Sequence, residues 1–266
     1  PTMLQVMRSV ELQEKWGPTI REFFDDGLDR GMQKFISDEE VKVGGYKFLP
    51  HVSVLNTKRD GTLKYRVAPD GGKEPISDFI HGSLSSSGID SPSFNFLMAY
   101  GAHHNMAASF SDVKQAYPWH NRWDDEACKN PRRVYIRLTA FQSGTGKEEN
   151  LELLTATNGL RDASAIFEGI NARMLFAWGA RRSIVHRGLF FRHEGNNSLM
   201  VVGTYVDDSA ELRSRDEGGK KMLQELEKAR EVAGFQMKVR QLDDHPEGID
   251  FAGRLIKPFV NKYGQG

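Results

Sequence analysis

The chain has a single cysteine, Cys128, among 266 residues. That excludes an internal disulfide and a cysteine-rich zinc site, and it fits a reducing compartment. No apolar run approaches the length of a membrane span. The N-terminal PTMLQVMRSVELQEKW lacks the basic start, long apolar stretch and small-residue cleavage site of a secretory signal. These absences predict an intracellular protein, cytoplasmic or nuclear, neither secreted nor membrane-bound. Net charge is also absent, with 36 Lys and Arg against 36 Asp and Glu. The balance argues against a purely electrostatic nucleic-acid binder but leaves room for a locally charged groove. No repeat of solenoid period occurs. A chain opening on Pro1 rather than Met reads as a fragment or a processed piece of a longer one.

What is present is ordinary for a globular protein: 39% hydrophobic and 27% charged residues, long enough for one large domain or two modest ones. Residues 18–35 open on Pro18, suited to a first helical turn, and Ile20, Phe23, Phe24, Leu28 and Phe35 recur at helical spacing, which predicts a helix. Residues 48–69 predict a hairpin turned by RDGT. The Gly/Ser/Pro-rich stretch 70–93 reads as a loop and 92–106 as a helix. Strands are predicted at 107–117 (ending in a turn), 133–141 and 151–157, with loops at 118–133 and 142–150. Ile166, Ile170, Leu175 and Trp178 share a face of a predicted helix at 160–180. GLFFR and LMVVGTYV predict paired strands around HEGNNS, followed by a charged amphipathic helix at 216–234 ended by Gly234 and a short β excursion. Interleaved helices and frequent hairpins predict an α+β fold rather than a doubly wound parallel sheet.

Asp-Asp occurs at 25–26, 124–125, 207–208 and 243–244, and only Asp207-Asp208 directly follows an apolar strand. Burying two adjacent carboxylates is costly, so a turn is the ordinary reading of that pair taken alone. Asp112 changes this, because it too ends an apolar strand candidate, SFSDV. If the two strands are neighbours, three carboxylates meet at one point, and such a cluster calls for a compensating cation. Hard oxygen ligands suit Mg²⁺, which commonly sits between a few carboxylates and substrate phosphates. Two such ions can serve phosphoryl transfer.

YVDD after an apolar strand, with DVKQAY upstream, resembles the signature of reverse transcriptases, and the ordered set of segments resembles the copia type of LTR retrotransposon. That set comprises LQEKWGPTIREFFDDGL, GTLKYRVAP, DVKQAY, TNGLRDASAIF, RRSIVHRGLFFRHEG, FQMKVRQL and IDFAGRLI, and it covers about residues 10–256. The resemblance implies a right-hand polymerase with an antiparallel palm sheet packed on helices. Fingers would fall at about 38–105 and 120–157, palm at about 106–119 and 158–234, and a hairpin at 235–266, with ribonuclease H and integrase regions absent.

It further implies that Asp112, Asp207 and Asp208 hold Mg²⁺ or Mn²⁺, with the Val113 carbonyl as an extra ligand. Lys64, Arg66, Lys114, Gln115, Ala116 and Tyr117 would bind the dNTP, with the backbone after Asp112 cradling phosphates and Tyr117 beneath the sugar. Asn158, Gly159, Arg161, Phe251, Ala252 and Gly253 would lie near template and primer. The implied activity is RNA-directed DNA polymerisation, and the implied partners are an RNA or DNA template with primer, and dNTPs. The chain departs from the family at Asn158 (Tyr in the family), at Arg161-Asp162-Ala163-Ser164 (Lys-Gln-Ala-Pro) and at Ser209 (an aliphatic residue). Asp162 thus brings negative charge toward the implied template path.

Other readings stand beside these. Lys64 and Arg66 also suit a solvated strand face, and Tyr117 suits plain packing. Six arginines between Gly159 and Arg192, against Asp162 and Glu168, suit either a nucleic-acid backbone or a solvated basic face. SGTGKEE is not a P-loop, since Phe141 stands for its first Gly and Glu148 for its Ser/Thr. His103-His104 make a poor metal pair as helix neighbours, and NNS at 196–198 is read as a turn. The alternative function is a retroelement-derived, catalytically silent domain: a structural or nucleic-acid-binding subunit with protein partners in a larger assembly.

Overall fold

The computed structural model describes residues 1–45, 47–58, 60–80, 84, 86, 88–195 and 197–258. The expected turn residue Arg59, parts of the 70–93 loop, Asn196 of NNS and the end of the 235–266 hairpin lie outside these. Along the chain run α1 (Met3–Arg8), α2 (Val10–Asp29), β1 (Gln33–Ile36), α3 (Asp38–Gly44), β2 (His51–Thr57), β3 (Leu63–Pro69), α4 (Ser91–His103), β4 (Ala107–Val113), α5 (Ala116–His120), β5 (Val134–Leu138), α6 (Ala140–Ser143) and β6 (Glu149–Leu153). Then follow α7 (Ala163–Ala177), β7 (Arg181–Arg182), β8 (Leu189–Glu194), β9 (Ser198–Tyr205), β10 (Asp208–Arg213), α8 (Glu217–Val232), β11 (Met237–Gln241), β12 (Ile249–Phe251) and β13 (Arg254–Ile256). Every strand ladder is antiparallel, so the fold is α+β. Two compact units form, Pro1–Ser85 with Tyr117–Phe167, and Ser86–Ala116 with Glu168–Gly266. Among the described residues no helix is long and apolar enough to cross a membrane.

In the first unit the sheet order is β1-β6-β5, beside the β2–β3 hairpin. Helix α2 starts well before Pro18: Ser9 caps it by accepting from the Leu12 N–H, and Pro18 lies inside the helix. The expected helix over 18–35 also ends early. Gly31, at φ 65°, closes a C-terminal motif in which Met32 N–H donates to the Gly27 carbonyl and Gly31 N–H to that of Leu28. Phe35 therefore belongs to β1 and not to the helical stripe. Trp16, Ile20 and Phe24 of α2 are buried, and Phe23 meets Tyr65 of β3 edge-on at 5.3 Å. The 143–149 segment leads into strand β6, not into the helix that a P-loop requires.

The second unit is built on a six-stranded sheet in the order β11-β4-β10-β9-β8-β7. Alternation along β4 and β10 sends Ala108, Phe110, Ala210 and Leu212 to one face, where they pack with Phe94 and Leu97 of α4 and with Ile249 and Phe251 of the β12–β13 hairpin. The opposite face receives α8, whose Met222, Leu223, Leu226 and Arg230 are buried. Within the apolar run before the aspartates, Met200 and Val202 are fully covered because β9 lies inside this sheet, whereas Tyr205 is exposed.

Candidate active site

Asp112's strand lies next to the YVDD hairpin, at its return strand rather than at the strand that precedes the aspartates. β4 pairs with β10, the return strand of the hairpin, and β10 separates it from β9. Asp208 is thereby set directly opposite Asp112. Val113 N–H donates to the Asp207 carbonyl at 2.9 Å, one residue beyond each aspartate. This makes Asp112 and Asp208 a non-hydrogen-bonded cross-strand pair, the kind whose Cα atoms approach to about 4.5 Å and whose side chains come closest. Like charges placed so are destabilising. Burial, then Asp207, then Asp112 push the Asp208 carboxyl up to about 6, and Arg240 pulls it down.

Asp207 occupies a two-residue turn with Val206, since Tyr205 pairs with Asp208. Val206 has φ 59°, while Asp207 is not left-handed. That pattern matches a type II′ turn, whose first position normally takes glycine. A β-branched side chain there is a genuine outlier, and backbone strain of this kind gathers at functional sites. Nothing in the sequence signals it.

Further expected ligands follow from the end of β4. The Val113 and Lys114 amides are engaged, the latter by the Gln236 carbonyl at 2.8 Å, so a phosphate cradle reduces to Gln115 and Ala116. Gln115, at φ 51°, gives the backbone the left-handed kink that such amide nests use. The structure adds two cations that sequence reading passed over: Lys238 pairs across strands with Asp112, and Arg240 lies two residues along. Their signal was the Lys-x-Arg spacing already noted at 64 and 66. Phe251, expected near the primer, is a core residue: it is 3% exposed, stacked on Phe94 at 5.3 Å and 5.0 Å from Phe110. Ala252 and Gly253, at φ 46° and 77°, form the exposed two-residue turn between β12 and β13.

The other expected residues belong to the first unit. Lys64 and Arg66 share the face of β3 opposite buried Tyr65 and Val67, whose strand is held by Tyr65 OH against Ser53 Oγ and Gln142 Nε2. Tyr117 lies edge-on to Phe167 at 5.9 Å. Half-buried Asn158 precedes Gly159, which has φ 99° and lies so close to the Pro69 carbonyl that a Cβ there would clash. Asn121 Nδ2 donates to the Ala156 and Ala163 carbonyls and clamps that loop.

Asp162 is not exposed negative charge: it is 1% exposed and receives both terminal nitrogens of Arg132, which also binds Glu74. Arg161 donates to the carbonyls of Gly72 and Glu74. Within the second unit Arg182 pairs with Glu168 and Arg192 with Glu194 and Glu225. Arg161, Arg182 and Arg192 are thus tied into the fold.

The donor set at 112, 207 and 208 is all hard oxygen, which suits a divalent cation of the Mg²⁺ class. Among the described residues no three such side chains are gathered closely enough to enclose an ion. No protein-family model matches the sequence, and no curated protein matches it.

Proposed function

We propose that the chain is the fingers-and-palm core of an RNA-directed DNA polymerase similar to that of copia-type LTR retrotransposons. One observation carries this reading: two carboxylates face each other across adjacent strands, with a third at a strained turn, where the charges repel. A fold keeps such a cluster at a cost in stability, and clusters kept at a cost mark function. Asp112, Asp207 and Asp208, with the Val113 carbonyl, would hold Mg²⁺ or Mn²⁺, which when bound supplies Lewis-acid activation of a primer 3′-hydroxyl and charge neutralisation on the α-phosphate.

The chain's own residues do the positioning. The paired strands fix the Asp112 and Asp208 backbones, and the tight turn presents Asp207 beside them. The reading assigns Lys64 and Arg66 to triphosphate oxygens, Gln115 and Ala116 to phosphate contact through their amides, and Tyr117 to the sugar. Asn158, Gly159 and the Ala252-Gly253 turn are assigned to template and primer.

The test is extension of a DNA primer on an RNA template with dNTPs and Mg²⁺. Asp207→Asn is expected to abolish extension while leaving circular dichroism and thermal unfolding intact. Equal extension by variant and parent refutes the reading. A folded parent that adds no nucleotide supports instead the catalytically silent subunit.

A further inference from the structure

Behind the aspartates, on the α8 face of the same two strands, lies a buried polar network. Ser109 Oγ donates to Glu211 Oε2 at 3.0 Å, Ser111 and Ser209 share a hydroxyl hydrogen bond of 2.7 Å, and Ser209 Oγ also reaches Glu211 Oε1 at 2.8 Å. Arg230 of α8 closes it through Nη2, which bonds both Ser209 and Glu211. Glu211 is 0% and Arg230 3% exposed, and Arg230 Nη1 is buried with no partner. A buried ion pair with a donor left over is on average no more stable than apolar side chains of the same volume, and its best-attested use is to fix a register.

The register here needs fixing. On the Phe110 face, sliding β10 by two residues replaces Ala210 with Leu212 opposite Phe110, which is apolar either way. The same slide separates Asp208 from Asp112, which their repulsion favours. The α8 face discriminates by polarity: there the slide takes Ser209 away from Ser111 and sets Arg213 opposite Ser109 in place of Glu211. We propose that Ser109, Ser111, Ser209, Glu211 and Arg230 form a register lock, positioning residues that hold Asp208 opposite Asp112 against their repulsion. What the aspartates then do rests on the polymerase reading, but the lock itself does not.

The test uses neither metal nor nucleotide, so its failure is distinct from failure of the polymerase reading. All five positions are made apolar together (Ser109→Ala, Ser111→Ala, Ser209→Ala, Glu211→Met, Arg230→Met) in the full chain. NMR then follows the Hα–Hα contact between Asp112 and Asp208, which a non-hydrogen-bonded pair gives strongly, and hydrogen exchange follows the Val113 amide. The expected result is unchanged or raised thermal stability, loss of the contact, a new contact between Asp112 and Ala210, and several-fold faster exchange at Val113 but not at Phe190 or Val202 of β8 and β9. An unchanged contact and unchanged Val113 protection overturn the proposal, as does exchange that quickens equally over the whole sheet. Should the fivefold variant not fold, Ser111→Ala with Ser209→Ala keeps the Glu211–Arg230 pair, removes the two hydroxyls with their bonds to it, and is read by the same contact and the same amide.

Discussion

Asp208→Asn should stabilise the metal-free chain at neutral pH, although it removes a candidate ligand. Asp208's carboxyl is raised from 3.8 to about 6, so the folded state holds its proton more tightly than the unfolded state does. For an acid raised on folding, the penalty is absent below the unfolded value, grows between about 4 and 6, and is full above that. At about 1.4 kcal/mol per pKa unit the ceiling at pH 7 is about 3 kcal/mol. The side chain is half-buried, and solvent screening brings the expected gain to about 1–2 kcal/mol. Urea titrations of parent and variant in EDTA, at intervals from pH 4 to pH 8, measure it. The variant should gain over the parent as pH rises through this window, the two should converge near pH 4, and excess Mg²⁺ or Mn²⁺ should narrow the gap at pH 7 by stabilising the parent alone. A variant less stable than the parent at pH 7, or a difference that ignores pH, refutes the reasoning that burial, with Asp207 and Asp112, raises the Asp208 carboxyl.

Three other substitutions probe the surroundings. Val206→Gly relieves a left-handed β-branched residue, and after glycine's own entropy cost the gain should be about 1 kcal/mol, read as a higher urea midpoint at unchanged slope. Phe251→Ala should cost about 3–5 kcal/mol in the same titration, because the ring is buried between Phe94 and Phe110; a loss under 1 kcal/mol would return it to the surface. Asp162→Asn removes a charged partner of Arg132 and should cost about 2 kcal/mol. Its affinity for a primed template, by fluorescence anisotropy, should not rise, whereas a carboxylate lying in a template path predicts that it would.

Legibility in the sequence followed how far each feature depends on near neighbours. The β2–β3 hairpin and helices α4, α7 and α8 carry local periodicity and turn residues, and they were read with shifted ends. Strand β10 carries only a four-residue alternation, SAEL, with no continuous apolar run, because Ser209 and Glu211 fill its second buried face. The pairing of Asp162 is not legible locally, since its partner Arg132 lies 30 residues away. Pro18 has the look of a helix start because Ser9, the actual cap, precedes the apolar stripe that begins at Ile20 by about three turns. The aspartates themselves were legible, because a double charge after an apolar run is conspicuous in one dimension. Which strand would present Asp208 to Asp112 was not, because pairing order is set by the whole sheet.

β4 also has a history during synthesis. Ser111 and its hydroxyl partner Ser209 are 98 residues apart. At about 5–20 residues per second, the ribosome needs about 5–20 s to make the strand that covers this edge. Through that interval the Ala-Ala-Ser-Phe-Ser stretch stands with both edges open, since β11 is made later still. An all-apolar strand waiting that long is a template for aggregation. Ser109 and Ser111 interrupt it on one face and Asp112 ends the other, so these polar side chains also keep the nascent strand from pairing with a neighbouring chain.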